Sequence, residues 1–589
     1  MLKRLLALPA AVLAASLAFG QHTKIASDLR VTDPAASVDV IVQFQHRPTQ
    51  WQHQKVFSRG GTLKADLSSI KAGAYRMPAG AVGSLAQDPE VTYISPDRPV
   101  KLMLDNSAAA VNAPTAWNSY GLNGSGVGVA VIDSGISRIP DLNKRIVYSQ
   151  SFVVGDSDTQ DHYGHGQHVA GIIAGSGSSS SCSGCFRNFK GIAYKANIIN
   201  LRVLDQNGDA TDSLVISAIQ EAISLQSTYN IGVINLSVGR PVFESYTQDP
   251  LCQAVEAAWK AGIVVVASAG NDGRDNSFGT EGYATTYAPG NDPYVITVGA
   301  MNSMGTPQRT DDIMASYSSK GPSEIDLVAK PDLVAPGNLV VSDLAPAGVD
   351  SSTGASFIPT IVTEDPQLLV PFSYYEQSAP SGDSGSYIQM SGTSMAAPVV
   401  SGAAALLLQQ NPQLTPDQVK ARLMKTAYKS FPSSTSVTDP TTGITYTDYY
   451  DVFTVGAGYV DIAAALANSD LAQGTAMSPT LSINPTTGTA SLVFDPSSVW
   501  AQASLWSSPT QWASQVVWGP AEANANGTVW ISPELSQVVS ETVSSQGTIL
   551  GQGTLLGQGT LLGQGILLGQ GTLLGQGVLL GQSSTGDPQ

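Results

Sequence analysis

Six histidines occur in 589 residues, and three of them fall close together as His162, His165 and His168, within Asp161-His162-Tyr163-Gly164-His165-Gly166-Gln167-His168. Imidazole exchanges protons near neutral pH more readily than any other side chain, so this cluster is where a general base is expected. A nucleophile is offered by Ser394, in Ser391-Gly392-Thr393-Ser394-Met395-Ala396-Ala397-Pro398. The chain from there to Leu408 carries Ala, Val and Leu on every side, which reads as a buried helix. Gly392 permits a tight turn before it, and Pro398 is expected in about its first turn. A hydroxyl at a helix N-terminus sits where backbone N–H groups and the dipole favour a developing negative charge. Taken alone, such a serine is more often an ordinary cap. An orienting acid is offered by Asp133, which ends the apolar strand from Gly126 to Ile132. Carboxyl ends of parallel strands are where open α/β sheets bind ligands, although Asp is also a common turn residue. The competing chemistry is a metal held by His165, His168 and Asp161, but the Glu of a His-Glu-x-x-His signature is absent. The blander alternative is that the histidines pack and cap a helix start.

Positioning these groups falls to the chain from about residue 109. Apolar strands (Val127–Ile132, Asn197–Val203, Gly232–Leu236, Ile263–Ala267, Val295–Gly299) alternate with helices (from His165, Asp212–Leu225, Cys252–Ala261). That alternation implies a parallel sheet covered on both faces. A further helix is expected over 415–427, capped by Thr415 with Pro416 at its first position. Residues 340–385, rich in Ser, Gly and Pro, read as a long loop or insertion. Residues 38–100 read as a small α+β unit, and Ser95–Asn106 as a linker. After Asp470 the sequence becomes repetitive. Trp500, Trp506, Trp512, Trp518 and Trp530 keep a six-residue period, and Gln546 to Gln582 continue it in units like Leu550-Gly551-Gln552-Gly553-Thr554-Leu555. This reads as a low-complexity tail, with a short β-helix as the alternative.

Bulk composition narrows the function. A net charge of −17 argues against nucleic acid or anionic lipid as the main partner. Three cysteines cannot scaffold the fold. Lys3 and Arg4 followed by the apolar stretch Leu5–Phe19 read as a secretory signal cleaved after Gly20. No later stretch is long enough to span a bilayer, so the expected location is secreted or cell-surface.

The chain order Asp133, His165, Ser394 is one of the three in which Ser-His-Asp hydrolases are built, whereas the Gly-x-Ser-x-Gly elbow is missing around Ser394. The blocks Val129-Ala130-Val131-Ile132-Asp133-Ser134-Gly135, His165-Gly166-Gln167-His168-Val169-Ala170-Gly171 and Gly392-Thr393-Ser394-Met395-Ala396-Ala397-Pro398 resemble the catalytic blocks of subtilisin-like serine proteases. Ala267-Ser268-Ala269-Gly270-Asn271-Asp272-Gly273 resembles the oxyanion-hole segment of that family. Ser318–Pro322 and Lys330–Gly337 match it too.

The resemblance implies an α/β, subtilisin-like doubly covered sheet. It implies an inhibitory propeptide (21–105) and a catalytic domain (106–470), which the signal peptide (1–20) precedes and the repeat tail (471–589), matching nothing in the family, follows. It implies Ser394 as nucleophile, His165 as base, Asp133 as its orienter, and Asn271 as an oxyanion donor. Ser237-Val238-Gly239 resembles the strand that pairs with extended substrate, a main-chain recognition that suits protein and peptide substrates. The N-terminal unit resembles the inhibitory propeptide, cut near residues 100–108. No cofactor is required for that chemistry. Asp141 resembles a calcium ligand of the family, so a structural calcium is considered there, and Thr285 or Thr286 is placed near the pocket floor. Given export, Cys182 and Cys185 suit a local disulfide, with Cys252 a buried thiol. Gln167 and Val399 depart from the Thr and His usual in the family. The alternative function is a surface or assembly protein whose repeat tail does the work and whose protease core serves only its own maturation.

Overall fold

The computed structural model describes residues 36–97, 99–102, 109–276, 280–376, 381–439, 442–484 and 489–500, with short pieces at 24–26, 29, 34, 522–523, 528–530 and 586–588. The expected signal at 1–20, residues 103–108 of the expected cut region and the Gly-Gln hexads from Gln546 to Gln582 lie outside the described residues.

The N-terminal unit is an antiparallel sheet ordered β2-β3-β1-β4. Its strands are β1 (Ser37–Phe44), β2 (Thr62–Leu67), β3 (Ala72–Pro78) and β4 (Val91–Pro96), with helices α1 (Gln50–Phe57) and α2 (Ala79–Ala86). Val40, Val42, Val56, Met77, Val82 and Leu85 form its own small core. The expected linker begins instead as strand: β4 runs to Pro96, and β5 (Pro99–Leu102) pairs with two strands of the next domain. Local pattern could not show this, because both partners lie more than a hundred residues away.

The second domain contains β6 (Gly128–Asp133), β7 (Ile146–Ser151), α3 (His165–Ala174), β8 (Asn197–Arg202), β9 (Asp209–Thr211), α4 (Asp212–Ser224), β10 (Ile231–Leu236), β11 (Val238–Gly239), α5 (Pro250–Lys260), β12 (Val264–Ser268), β13 (Ile296–Asn302), β14 (Ile313–Met314) and β15 (Leu333–Pro336). Its main sheet is ordered β14-β13-β12-β10-β6-β8-β7, with β15 on β13, and all its pairings are parallel except β13 with β14. Every residue of β6, β12 and β13 is buried. Val and Ile on both faces of a strand leave no solvated face, so helices must cover both sides.

Residues 340–385 are structured rather than one long loop. They include β16 (Val340–Asp343), which pairs with β17 (Asp383–Met390), and a short helix Thr360–Glu364. This region packs on the histidine loop. The N–H groups of Thr360 and Ile361 donate to the carbonyls of His162 and Tyr163 at 3.0 Å each, and Phe357 stacks on the His162 ring at 4.0 Å. Helix α6 (Thr393–Gln410) packs against β10, β12 and β13, and against α3. Helix α7 (Pro416–Thr426) is capped as expected, Thr415 Oγ1 accepting from the Gln418 N–H.

Packing does not stop where the composition changes at 470. Ala472, Ala476, Val499 and Trp500 belong to the main core, and the Trp500 indole donates to the Met477 carbonyl at 3.0 Å. Trp500 is therefore a core residue. The side chains of the later tryptophans lie outside the described residues.

Candidate active site

Three neighbouring strands, β12, β10 and β6, end side by side, and their carboxyl ends lead into Asn271, Ser237 and Asp133. Asp133 is the last residue of β6. Its Oδ1 accepts from Ser134 N–H at 2.8 Å and from His165 Nδ1 at 2.7 Å. The imidazole is therefore protonated on Nδ1. Both side chains are buried, Asp133 to 1% exposure and His165 to 0%.

The start of α3 is locked to the end of β6. Ser134 Oγ donates to Asp161 Oδ1 and accepts from Gly166 N–H, both at 2.8 Å. The Asp161 carboxylate also accepts from the N–H groups of Gly164 and Gln167 at 2.7 Å. Asp161 thus takes up free donors of the first helical turn, the role usually given to a capping residue. Gly166 cannot carry a Cβ here, since it would lie 2.5 Å from the Gly135 carbonyl and 3.1 Å from Asp133 Cβ. Ser134 and Asp161 are positioning residues to which sequence reasoning gave no such role; an acid four residues before a helical histidine was the available signal.

The other two histidines are occupied elsewhere. His162 Nε2 meets Asp158 Oδ2 at 2.9 Å. His168 Nε2 donates to the Val340 carbonyl at 3.1 Å. Burial, with a smaller contribution from His165 beside it, pulls the His168 pKa down to about 3. Among the described residues, the His, Cys and carboxylate groups close enough to share a metal are Cys182-Cys185-Glu376 and Asp156-His162-Asp350. Neither contains His165, His168 or Asp161, so the metal arrangement expected as an alternative is not assembled.

A neutral buried histidine has a consequence for stability. Unfolded, His168 titrates near its ordinary 6.5; folded, it does so near 3. Between these values the unfolded chain binds a proton that the folded chain cannot. The stabilisation is intact above pH 6.5 and is lost as pH falls toward 3. His168→Leu should shrink the stability difference between pH 7 and pH 4 by roughly 3 kcal/mol, read by denaturant unfolding at both values.

Ser394 is the second residue of α6. Gly392 precedes the helix at the cap position, and its φ of 151° and ψ of 163° are open essentially to glycine alone. Pro398 stands deeper than the first turn expected of it, inside the helix. Lacking an N–H, it leaves the Ser394 carbonyl without a helical donor. Ser237 fills the gap, its Oγ donating to the Ser394 carbonyl at 2.7 Å while its own carbonyl accepts from Ser394 Oγ at 3.0 Å. A buried polar chain holds Ser237 in turn. Ser401 Oγ donates to Asn235 Oδ1 at 2.8 Å, and Asn235 Nδ2 donates to Ser237 Oγ at 3.0 Å. Neither Asn235 nor Ser401 stood out in the sequence, because each lies within an apolar element.

Asn271 follows β12 in a turn. Its Oδ1 accepts from Thr393 N–H at 2.9 Å and from Thr393 Oγ1 at 3.1 Å. A backbone N–H can only donate, so the amide oxygen must face Thr393 and the NH₂ group is left to bind something else. That places a fixed donor next to the serine.

Strand β11, the expected substrate strand, pairs antiparallel with β5: Val238 opposite Leu102 and Gly239 opposite Lys101. On its other edge β5 pairs with β9, so Pro99–Leu102 forms the middle strand of three. On the far side, Arg240 and Ala288 exchange backbone hydrogen bonds of 3.0 and 2.8 Å. Thr285 braces this loop, its hydroxyl donating to the Gly282 carbonyl at 2.7 Å, and Thr286 is buried. Asp97, just before β5, receives the Ser213 N–H at 2.6 Å in the first turn of α4, where a carboxylate is favoured.

Asp141 does not present a calcium site. Its Oδ1 accepts from Ser178 Oγ at 2.5 Å and Ser179 N–H at 2.8 Å, and its Oδ2 from the Tyr387 hydroxyl at 2.7 Å. Calcium needs oxygen lone pairs, and three of the roughly four on this carboxylate are engaged by hydrogen donors. Cys182 and Cys185 are joined in a disulfide. Cys252 is buried and free, its thiol pKa pushed up by burial. Among the described residues no helix is long and apolar enough to cross a membrane.

Residues 124–458 match the model of the subtilase family of peptidases. The chain is 36% identical over 369 residues to the serine protease AprX of Bacillus subtilis (strain 168), covering 61% of this chain and 75% of that protein. It is 35% identical over 377 residues to subtilisin E of the same organism, covering 63% and 79%. In architecture it is similar to the crystal structure of fervidolysin from Fervidobacterium pennivorans, a keratinolytic enzyme related to subtilisin. The TM-score there is 0.53 at 22% identity, over 77% of this chain and 64% of that one. The chain therefore belongs to the subtilase family of serine endopeptidases.

Proposed function

We propose that this protein is an exported endopeptidase that cleaves proteins through Asp133, His165 and Ser394 and processes its own precursor. The observation that carries the reading is the buried Asp133–His165 hydrogen bond, which orients the imidazole at the sheet edge where Ser237 holds Ser394. Ser394 Oγ attacks the peptide carbonyl while His165 Nε2 takes its proton. The proton then passes to the leaving amine, an acyl-enzyme remains on Ser394, and water releases it by the same route. Asp133 stabilises the imidazolium formed in each step. The Asn271 NH₂ and the Ser394 N–H bind the oxyanion. Substrate lies extended against Val238–Gly239.

Residues 21–105 act as the inhibitory propeptide in this reading. Support comes from β5, an extended segment paired on both edges beside Ser237, as a bound peptide would be. The cut then follows Leu102 closely, within the range expected.

The test is casein hydrolysis by the processed protein. Inhibition by a serine-directed phosphonate, with no effect of a chelator, is expected. Absence of casein hydrolysis would favour the tail-centred alternative. Asn271→Leu should lower kcat by about 10²–10³-fold with KM little changed, the loss known for one such donor in subtilisin, when both constants are measured on a chromogenic peptide.

A further inference from the structure

A short acidic segment from far along the sequence is seated inside the catalytic domain. Asp587 is only 1% exposed. Its Oδ1 accepts from Arg274 Nη2 at 2.6 Å and from Ser316 Oγ at 2.7 Å, and its Oδ2 accepts from Ser316 N–H at 2.7 Å. Its backbone is read as well. Asp587 N–H donates to Asn338 Oδ1 at 2.8 Å, and Asn338 Nδ2 donates back to the Asp587 carbonyl at 2.9 Å. Asn302 Nδ2 donates to the next carbonyl, Pro588, at 3.0 Å.

The preceding residue must be glycine. Gly586 has φ +64°, and a Cβ there would lie 2.0 Å from Ser391 Oγ and 2.8 Å from Asn338 Oδ1. The recognition therefore reads a carboxylate, the amide pair of its own residue and the absence of a side chain before it.

We propose that Arg274, Ser316, Asn338 and Asn302 form a carboxylate-binding socket whose ligand is the chain's own Gly586-Asp587-Pro588. The socket shares chain segments with the catalytic residues. Arg274 stands three residues after Asn271, and Ser391 stands three before Ser394. Arg274 is itself buried, and its Nε donates to Ser316 Oγ at 2.8 Å. The nearest other carboxylate, Asp439, is 3.6 Å from its Nη1. Removing Asp587 would leave most of a buried guanidinium charge without its closest counter-ion, a costly state. The seated segment thus braces the backbone that carries the oxyanion donor. Trp500 lies in the main core and Asp587 in the socket.

The test follows amide exchange at Ser316, whose N–H has Asp587 Oδ2 as acceptor, in the full-length chain carrying Ser394→Ala to keep it intact. Adding Asp587→Ala should speed that exchange about tenfold or more, the loss of one charge-assisted hydrogen bond, while Val298 in β13 stays protected. Millimolar Ser-Thr-Gly-Asp-Pro-Gln peptide should restore slow exchange in this variant, and the same peptide with Ala in place of Gly should not. Unchanged exchange at Ser316 in Asp587→Ala would overturn the proposal. Protection that falls on dilution of the parent would also overturn it, since a second copy would then supply the segment. If Asp587→Ala does not fold, Gly586→Ala decides. It keeps the carboxylate but not the fit, so faster exchange at Ser316 supports the socket and unchanged exchange overturns it.

Discussion

Ser394→Ala is expected to lower peptide hydrolysis by about 10⁶-fold, the size of loss seen when the nucleophile of subtilisin is removed. The substitution deletes one buried oxygen, and its cost to the fold is small. Among the described residues Ser394 Oγ makes a single 3.0 Å bond, to the Ser237 carbonyl, while the α6 terminus is held by the Ser237 hydroxyl and by Thr393, which remain. Secretion and stability should therefore be close to wild type while activity vanishes. The same variant tests self-processing. Mass and N-terminal sequence should show wild type trimmed shortly after Leu102 and Ser394→Ala untrimmed. Identical trimming in both would assign the cut to another protease. Hydrolysis surviving above background would remove Ser394 from the mechanism.

Asp133→Ala should lower kcat by about 10⁴-fold, measured at pH 8 on a chromogenic peptide. Two functions go together in that variant: the acceptor that fixes the Nδ1–H tautomer, and the negative charge that offsets the imidazolium in a site with 0–1% exposure. Asp133→Asn separates them. Ser134 N–H donates to the same oxygen that receives His165 Nδ1, so an asparagine must place its carbonyl there. The tautomer survives and only the charge is lost. Asp133→Asn should therefore retain more activity than Asp133→Ala. Equal loss would mean that charge alone matters, and a loss under tenfold in Asp133→Ala would refute the role altogether.

Elements whose character is local were legible in the chain. The helix start at His165, the strand ending at Asp133, the capped helix at Thr415 and the buried helix carrying Ser394 all follow from hydrophobic period, caps and glycine or proline placement. So did the order of the three candidate residues and the family it resembles. Local pattern could not rank the three histidines, which lie three residues apart in similar surroundings. Burial and partners separate them: Asp133 for His165, Asp158 for His162, and the Val340 carbonyl for His168.

The remaining features depend on contacts between distant parts of the chain. Pro99–Leu102 carries no strand signal of its own and becomes strand because β9 and β11 offer it two edges. Residues 340–385 look irregular because their order comes from packing on the histidine loop rather than from a repeating period. Trp500 looks like the first unit of a repeat but fills a gap in the core. Gly586 and Asp587 lie in what reads as a low-complexity tail, yet Asp587 meets Arg274 across 313 residues. Sequence by itself determined which side chains could do chemistry and which elements hold them, because helix and strand periods are short-range properties. Tertiary structure alone decided which partners hold His162 and His168, what lies against the substrate strand and what fills the socket around Arg274, because each depends on a partner that no local pattern encodes.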